Sequence, residues 1–337
     1  MKLFVTGGAG FIGSNFVRHM LAAHSDIHIV NFDALTYAGN LENLSDIEKD
    51  PRYVFVRGDI SRVDDVRAVF SKNQFDAIVN FAAESHVDRS LHLGAEQFIH
   101  TNVLGTQILL DGSREYGVKR FVQISTDEVY GSLGSEGRFS ETTPIAPNNP
   151  YSATKASADF LVRAAHHSHG VDAVITRCSN NFGPYQFPEK LIPLMIANAL
   201  EDKPLPVYGD GLHVRDWIYV LDHCSAIDAV LRKGRAGEVY NIGSMNDVPN
   251  LHVVKQILAT LKKPESLIKF VKDRPGHDRR YAMDAVKIQK ELGWKPAHSF
   301  DDGLKLTIDW YLGHKQWLNR VRSGEYSTYY TKLYSGR

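Results

Sequence analysis

Cysteine is nearly absent from this chain: its 337 residues include only Cys178 and Cys224. Two cysteines do not build a disulfide framework, which favours a reducing compartment, so we expect a cytoplasmic location. Long apolar runs are missing as well, and the sequence therefore predicts neither a membrane-spanning helix nor a membrane partner. The first apolar run is a short strand that leads directly into Gly7-Gly8, which is unlike the apolar core of a signal peptide.

An excess of either charge is also missing. Lysine and arginine together number 39, as do aspartate and glutamate, so the formal net charge is zero. No overall field draws such a protein to nucleic acid, and an anionic ligand requires a local cationic pocket. Metal-binding motifs are lacking too. The cluster His166, His167 and His169 has no further ligands at the spacing of a zinc site, so we expect no metal.

What the sequence contains first is a strand, a glycine turn and a helix. The predicted strand 2–6 is followed by Gly7, Gly10 and Gly13. Glycines at this spacing allow a tight turn, a close approach of the backbone to a pyrophosphate, and close packing of the helix on the strand. The N-terminus of the helix then faces the anion. This pattern predicts a dinucleotide-binding turn.

A second strand, 28–32, delivers Asp33 about twenty residues after the turn, where a carboxylate binds ribose hydroxyls and repels a 2′-phosphate. We therefore predict NAD rather than NADP. Short apolar runs predict further strands at 53–56, 77–81, 121–125, 171–177 and 238–242, and two helices at 98–116 and 151–169. This alternation indicates an α/β fold with a doubly wound parallel sheet, the Rossmann arrangement. The two helices carry more apolar residues than one core-facing stripe needs, which favours a homodimer.

Acidic residues follow the strand 121–125. Thr126, Asp127 and Glu128 come at its carboxyl end, where open α/β sheets place their ligands. By itself an Asp-Glu pair at a strand end is more often a solvated turn. Together with a dinucleotide site, the two carboxylates favour acid/base chemistry.

A phenol and an ammonium group follow on one helix. Tyr151 and Lys155 lie four residues apart and share a helical face. A phenol needs roughly 4 kcal/mol to act as a base near neutral pH. An ammonium at ~4 Å supplies an interaction of that order. The pair suits proton removal from an alcohol that loses hydride, although in isolation it would be only an aromatic residue and a lysine on a helix.

From Ser179 the composition changes to polar, aromatic and proline residues, which indicates a loop-rich segment over the substrate. It contains Lys190 on a short predicted helix, and the later Arg215 and the cationic loop 273–281 suit a diphosphate. We predict an NAD-binding Rossmann domain at 1–178 plus about 215–243. A smaller α+β domain, which binds a nucleotide sugar, is predicted at 179–214 plus about 244–337.

Over nearly its whole length the sequence resembles the extended short-chain dehydrogenase/reductases, and within them the dehydratases of nucleotide sugars. The motifs that carry the resemblance are GGAGFIGSNF at 7–16, DALTYAGN at 33–40, NFAAESHVDRS at 80–90, STDEVYG at 125–131, YSATK at 151–155, TRCSNNFGPYQFPEKLIP at 176–193, VYGDG at 207–211, VRDWIYV at 214–220 and DRPGHDRRYA at 273–282. The glycine turn and Tyr-x-x-x-Lys specify only the superfamily. Thr-Asp-Glu is sharper, because related sugar epimerases usually lack the acid pair.

The resemblance implies a lyase that converts dTDP-glucose into dTDP-4-dehydro-6-deoxyglucose and water, in the supply of deoxysugars. In this reaction NAD accepts hydride from C4 while Tyr151 removes the hydroxyl proton. The new ketone acidifies C5, from which Glu128 removes a proton, while Asp127 protonates the departing C6 hydroxyl and Thr126 donates to the C4 oxygen. Hydride then returns to C6.

Other interpretations of the function remain open at this point. A UDP-sugar 4-epimerase, a decarboxylase of the superfamily or a dehydratase of another nucleotide sugar would share the cofactor site, and Asp127 and Glu128 speak against the first two. A non-catalytic dinucleotide-binding regulator is a further class, which the intact set of acid, phenol and lysine residues disfavours.

The resemblance also implies contacts residue by residue. The catalytic positions are Thr126, Asp127, Glu128, Tyr151 and Lys155. NAD-contacting positions are Gly7, Gly10, Phe11, Ile12, Gly13, Asp33, Ala34, Leu35, Thr36, Asp59, Ile60, Phe81, Ala82, Ala83, Ser85, Thr101, Tyr151, Lys155 and Asn181. Substrate-contacting positions are Ser85, His86, Arg89, Thr126, Asn180, Lys190, Leu191, Pro206, Tyr208, Arg215, Asn250, Arg274, His277 and Tyr281.

Overall fold

The computed structural model describes residues 1–92, 94–273 and 276–323. Its strands are β1 (Lys2–Thr6), β2 (His28–Asp33), β3 (Tyr53–Arg57), β4 (Ala77–Asn80), β5 (Arg120–Thr126), β6 (Ala173–Cys178), β7 (Asn180–Phe182), β8 (Leu205–Tyr208), β9 (Val214–Tyr219), β10 (Val239–Ile242), β11 (Asp247–Pro249) and β12 (Ile268–Val271).

Its α-helices are α1 (Phe11–Ala23), α2 (Val63–Phe70), α3 (Val87–His92), α4 (Glu96–Phe98), α5 (Thr106–Glu115), α6 (Pro150–His169), α7 (Leu191–Leu200), α8 (Val220–Lys233), α9 (Asn250–Leu261), α10 (Val286–Leu292), α11 (Phe300–Gly313) and α12 (Lys315–Arg322). A π-helical segment, Ile99–Gly105, joins α4 to α5. Within the described ranges, none of these helices combines the length and the apolar character needed to cross a bilayer.

The larger sheet is parallel throughout and has the strand order β10-β6-β5-β4-β1-β2-β3. The order reverses between β1 and β4, since the chain first moves outward through β2 and β3 and then continues on the other side. A reversal of this kind leaves a crevice at the carboxyl ends of the strands, where ligands bind in open α/β sheets. The predicted doubly wound sheet is thus confirmed.

Alternating side chains of the strands build a core on each face of this sheet. On β1, Leu3 and Val5 join a cluster with residues of α1, α8 and α10. Phe4 points the other way and joins a cluster with residues of α2, α5 and α6. Because both faces are covered by helices, the strands are apolar on both sides, which is the pattern that identified them in the sequence.

A smaller α+β part packs beside the large sheet. It contains a three-stranded sheet in the order β11-β9-β7 and a parallel pair of β12 and β8. Its core gathers apolar residues of α7, α9, α11 and α12 around Phe182, Trp217 and Tyr311. These elements form the second, smaller part of the predicted fold class.

The structure differs from the sequence prediction in two segments. The stretch from Ser179, predicted to be rich in loops with a short helix at Lys190, contains β7, β8 and the ten-residue helix α7, whose N-cap is Lys190. The full length of α7 was not apparent from the sequence because the helix is apolar on nearly every side and lacks a polar stripe. The predicted helix 98–116 is interrupted by the π-helical segment.

The division of the chain into two domains stays a prediction, and strand β9 lies at its predicted boundary near residue 215. Val214–Tyr219 pairs with β7 and β11 of the smaller sheet, whereas the sequence analysis had assigned residues from about 215 onward to the NAD-binding domain. The following helix, α8, packs against α1 on the large sheet. The chain therefore passes from the smaller part to the large sheet at the end of β9.

Candidate active site

A cleft of about 720 Å³ opens at the carboxyl ends of the strands in the large sheet. Residues that follow β1, β2, β3, β4, β5 and β6 line it, together with the N-terminal turns of α1 and α6 and the segment that leads into α7. The cleft therefore lies at the strand-order reversal. Among the residues that line it are all five predicted catalytic residues, Thr126, Asp127, Glu128, Tyr151 and Lys155.

The glycine turn after β1 forms one end of the cleft. Gly7 has φ +70°, and a Cβ there would lie 2.6 Å from the amide nitrogen of Ala82, so only glycine fits. A Cβ at Gly13 would clash with the carbonyl oxygen of Gly7. Gly10 caps α1 without a side-chain hydrogen bond, and the first turn of the helix carries no acidic residue. The N–H groups at this helix start therefore suit a phosphate.

Asp33 lies at the end of β2 and lines the cleft. One carboxylate oxygen accepts a hydrogen bond from the amide of Ala9 at 2.9 Å, and the other accepts one from the amide of Leu35 at 2.8 Å. Burial raises the pKa of Asp33, and these two backbone hydrogen bonds lower it. Each oxygen keeps a further lone pair, so the side chain can accept from a pair of ribose hydroxyls.

The turn after β5 holds the acid pair. Thr126 caps a short 3₁₀ turn, Asp127–Tyr130, by accepting a hydrogen bond from the amide of Glu128 at 3.2 Å, and it donates to Oδ1 of Asp127 at 3.2 Å. Burial raises the pKa of Asp127 well above its ordinary value, and the charges of Glu128 and Asp216 add to the rise. Within the described residues, Oδ2 of Asp127 has no hydrogen-bond partner. Asp127 is thus suited to carry a proton near neutral pH.

Tyr151 is fixed by the start of α6. Asn149 accepts a hydrogen bond from the amide of Ser152 in a capping box, and Pro150 occupies the first turn. Burial raises the pKa of Tyr151 well above its ordinary value, the charge of Glu128 raises it further, and a hydrogen bond with Thr126 lowers it. The phenol is therefore neutral in the protein alone.

Lys155 lies behind Tyr151, and its ammonium group donates to the carbonyl oxygen of Ile124 at 2.6 Å. Burial lowers the pKa of Lys155. A hydrogen bond with Thr126 lowers the pKa of the phenol, and the predicted contribution of Lys155 stays a prediction. Because burial raises the pKa of Tyr151, its ionisation also needs additional positive charge in the cleft.

The predicted cofactor positions gather in this cleft. Leu35 is the exception; its side chain packs against the core, while its amide holds Asp33. The positions that line the cleft are Gly7, Gly10, Phe11, Ile12, Gly13, Asp33, Ala34, Thr36, Asp59, Ile60, Phe81, Ala82, Ala83, Ser85, Thr101, Tyr151, Lys155 and Asn181.

The predicted substrate positions divide into two groups. Ser85, Thr126, Asn180 and Lys190 line the cleft, where the ammonium of Lys190 donates to the carbonyl oxygen of Ser85 at 3.1 Å. The Oδ1 atom of Asn180 is buried and has no hydrogen-bond partner among the described residues, which suits a bound polar ligand.

The other substrate positions that the structure describes lie off the cleft, and five of them cluster in the smaller part. Arg215 lies over the ring of Tyr281 at 4.4 Å, and Tyr208 contacts His277 with ring centroids 6.0 Å apart. The backbone N–H of Asn250 donates to the carbonyl oxygen of His213. The ring of His213 stacks on that of His277, with centroids 3.8 Å apart. The charge of Arg215 lowers the pKa of Asp127, which links this group electrostatically to the cleft.

Four further substrate positions that the structure describes belong to neither of these groups. His86 is buried, and Arg89 lies 3.7 Å above the ring of Tyr37 beside a smaller cavity of about 290 Å³. Leu191 begins α7 and packs on the smaller core, and Pro206 is buried in β8. Arg274 lies outside the described residues.

Glu189 and Asn102, two residues at the site, were missed by the sequence analysis. Glu189 lines the cleft, and burial raises its pKa to about 7. Asn102 is buried in the π-helical segment and clamps the backbone of Glu84 with two hydrogen bonds, while it donates to Thr154 at 2.9 Å. The one signal available was a polar residue among the apolar residues of a predicted helix.

Known proteins share this arrangement. The family model for GDP-mannose 4,6 dehydratase matches residues 4–307. The dTDP-glucose 4,6-dehydratase of Xanthomonas campestris pv. campestris (strain B100) is 54% identical over 340 residues, covering 96% of both chains. Among solved structures, the dTDP-glucose 4,6-dehydratase of Bacillus anthracis str. Ames in complex with NAD is 51% identical, with a TM-score of 0.89, and the match covers 95% of this chain and 99% of that chain.

A second solved structure, the dTDP-glucose 4,6-dehydratase of Streptomyces venezuelae with NAD bound, is 49% identical with a TM-score of 0.91, and the match covers 95% of this chain and all of that one. These likenesses extend over both parts of the fold. The chain therefore belongs to the GDP-mannose 4,6 dehydratase family, among relatives that carry the name dTDP-glucose 4,6-dehydratase.

Proposed function

We propose that this chain is an NAD-dependent lyase that converts dTDP-glucose into dTDP-4-dehydro-6-deoxyglucose and water. The observation that carries the proposal is the cleft itself, in which the buried acid Asp127, the neighbouring Glu128 and the phenol Tyr151 share one space with a dinucleotide-binding turn. Relatives that carry the name dTDP-glucose 4,6-dehydratase support this reaction; one of them is 54% identical over 96% of both chains.

The residues of the cleft fit NAD. The crowded backbone at Gly7 and Gly13 and the uncapped start of α1 suit the pyrophosphate, and the doubly hydrogen-bonded carboxylate of Asp33 suits the ribose diol. Bound NAD supplies the acceptor for hydride from C4, returns that hydride to C6, and brings a positively charged ring. That positive charge favours the phenolate form of Tyr151, whose pKa is otherwise raised by burial.

Tyr151 and Thr126 act on the C4 hydroxyl in the proposed mechanism. Tyr151 removes the hydroxyl proton as hydride leaves, since the capped start of α6 holds the phenol in the cleft. The hydroxyl of Thr126, which donates to Asp127 in the protein alone, can turn its hydrogen to the C4 oxygen and so stabilise the ketone that forms. Together they produce the carbonyl group that acidifies C5.

Glu128 and Asp127 then divide the elimination between them. Glu128, half-buried at the same turn, accepts the C5 proton. Asp127 donates a proton to the departing C6 oxygen, and its raised pKa, caused first by burial, keeps that proton available. Two adjacent carboxyl groups whose environments differ are what paired base and acid roles require.

A direct test of the substrate is to supply dTDP-, UDP- and CDP-glucose separately and to follow the formation of a 4-keto-6-deoxy product. We expect efficient conversion of dTDP-glucose. Epimerised UDP-sugar without loss of water would instead favour a 4-epimerase, the rival activity within the superfamily. The acid pair Asp127 and Glu128 argues against that rival, because exchange of configuration at C4 needs no acid at C6.

The coenzyme preference is expected to depend on Asp33. The Asp33→Ser variant removes the charge that repels a 2′-phosphate, so the ratio of dissociation constants for NADP and NAD should fall by about 10²-fold, the equivalent of roughly 2.7 kcal/mol. Calorimetric titration of both dinucleotides measures this ratio. Asp26→Ser, an exposed change on the turn before β2, is the control and should leave it unchanged. An unaltered ratio in Asp33→Ser would remove Asp33 from the ribose site.

We further propose that the protein is a homodimer. Ile99 and Leu104, on the π-helical segment, and Phe160, on α6, are 51%, 42% and 55% exposed, and the two elements pack side by side. Large apolar side chains clustered on neighbouring helices favour a second copy as partner. The cytoplasmic location is likewise a proposal, supported by two buried free cysteines.

The Phe160→Asp variant should therefore shift the protein from dimer to monomer in sedimentation velocity at micromolar concentration. A charge in an apolar interface is uncompensated on both subunits, so the effect is doubled by symmetry. Phe270→Asp, an equally exposed position at 55%, is the matched control and should remain dimeric. If both variants sediment like the wild type, the interface lies elsewhere or is absent.

A further inference from the structure

Behind the cleft, α6 carries a second buried charge one turn beyond Lys155. Asp159 lies four residues further along the helix, so the two side chains share one helical face. Both are nearly inaccessible to solvent, with 4% of Lys155 and 1% of Asp159 exposed. A buried ammonium group needs a compensating charge, since desolvation otherwise drives it to lose its proton. Asp159 is placed to supply that charge.

Asp159 is itself fixed by the neighbouring strand. Its Oδ2 atom accepts a hydrogen bond from Nε of Arg177, on β6, at 2.8 Å, and both side chains of this ion pair are buried. Arg177 also donates to the phenol oxygen of Tyr130 at 2.9 Å, and Tyr130 donates to Asn241 at 2.8 Å. The carboxylate is therefore held in position from the sheet and does not depend on Lys155 for its geometry.

The second carboxylate oxygen of Asp159 has no donor of this kind. Oδ1 is buried and makes no well-formed hydrogen bond within the described part of the chain. Besides Arg177, the polar groups that act on the carboxylate are the hydroxyl of Ser125 and the ammonium of Lys155. On the lysine side, one hydrogen bond goes to the carbonyl oxygen of Ile124, and an ammonium group has three hydrogens to donate. The carboxylate of Asp159 and the ammonium group of Lys155 thus each keep hydrogen-bonding capacity that the other could use.

We propose that Asp159 is a positioning residue for the reaction: its carboxylate holds Lys155 as an ammonium ion behind Tyr151, and Arg177 fixes that carboxylate. The inference rests on the proposed function, because the charge of Lys155 matters only if Tyr151 exchanges a proton with the substrate. Burial lowers the pKa of Lys155 and the charge of Asp159 raises it. Loss of the carboxylate should therefore move that pKa further down.

Other ionisable groups surround Lys155 and set the background for this effect. Cys178 on β6 acts on Lys155 directly, Asp127 and Glu128 on the turn after β5 act on Tyr151, and Arg177 on β6 acts on Asp159. Burial raises the pKa of Cys178 to about 12, so the thiol is neutral at working pH, and it raises the pKa of Asp127 well above its ordinary value. Burial also raises the pKa of Asp159, whereas the charge and the hydrogen bond of Arg177 lower it, and the Asp159 carboxylate raises the pKa of Lys155.

Three variants separate this role from a purely structural one. Asp159→Asn and Arg177→Met break the same buried ion pair, but only the first removes the charge beside Lys155. The double variant Asp159→Asn/Arg177→Met removes both members of the ion pair, so neither is left without its partner, and it keeps the test available if a single variant unfolds. All three are compared with the wild type by thermal unfolding.

The direct readout is the pKa of Lys155, followed by NMR titration of isotope-labelled lysine side chains, with Lys155→Met to assign the signal. We expect that pKa to fall by about one unit or more in the two variants that lack Asp159, and not to fall in Arg177→Met. This measurement needs no substrate, so it stands apart from any failure of the proposed function.

We also expect these variants to change the pH profile of C4 oxidation. The rate should decline above the pKa of Lys155, so its basic limb moves to lower pH in both variants that lack Asp159 and stays in place in Arg177→Met. A pKa that falls equally in all three variants, as loss of the ion pair alone would produce, contradicts the proposal. So does a pKa that falls in none of them.

Discussion

The Glu128→Gln variant should oxidise C4 of dTDP-glucose at close to the normal rate and then stop, so that reduced nicotinamide accumulates on the protein. Glutamine keeps the shape of the side chain but cannot accept the C5 proton, whereas Tyr151 and Thr126 are untouched. Release of the keto-deoxy product should fall by about 10²–10⁴-fold, the usual contribution of a general base. Stopped-flow absorbance of the nicotinamide, combined with a product assay, separates the two steps.

A matched substitution is available at the edge of the same cleft. Glu96 lines it with a side chain that is 92% exposed, and Glu96→Gln makes the same chemical change without touching the acid pair. Both steps should stay within about twofold of the wild type there, as for surface substitutions generally. Normal product release by Glu128→Gln would show that another group removes the C5 proton.

The Tyr151→Phe variant should block the reaction one stage earlier. Without the phenol oxygen no group takes the C4 hydroxyl proton, so hydride transfer should slow by about 10²–10⁴-fold and no reduced nicotinamide should accumulate. The ring is buried and contacts Phe98 with centroids 6.5 Å apart, and phenylalanine preserves that packing. A single-turnover measurement of nicotinamide absorbance checks the rate, and calorimetry checks that substrate binding is retained.

Tyr53→Phe serves as the control for loss of a buried phenol oxygen. Tyr53 lies in the core, where it accepts a hydrogen bond from Asn31 at 2.9 Å, outside the cleft. This variant should unfold at a somewhat lower temperature yet react normally. Rapid C4 oxidation by Tyr151→Phe would assign the proton transfer to a different residue and would also remove the reason for a charged Lys155.

Features with a local signature were predictable from the sequence. The first strand was predicted at 2–6 and is found at Lys2–Thr6, because a short apolar run and a following glycine turn are both contiguous in the chain. Asp33 and the Thr126–Glu128 group were placed at the cleft by one rule, that strand ends in a parallel sheet share an edge. The relation of Tyr151 to Lys155 needed only the helical repeat.

Features that depend on distant contacts were not predictable. The carbonyl group that binds Lys155 belongs to Ile124, 31 residues away, and nothing near Lys155 marks it. The burial that raises the pKa of Tyr151 is a property of the packed cleft and has no counterpart in the spacing of residues. The ten-residue length of α7 was not predictable either, because the smaller core surrounds this helix and its sequence has no polar stripe.

The π-helical segment Ile99–Gly105 constrains how the chain tolerates changes in length. Each residue of an α-helix turns the chain by about 100°. Deleting one residue here, which would restore an ordinary helical repeat, would rotate everything on one side of the cut relative to the other. Asn102 could not then grip the loop at Glu84 and reach Thr154 at once. A one-residue deletion in this segment should therefore destabilise the protein more than the same deletion in an exposed loop.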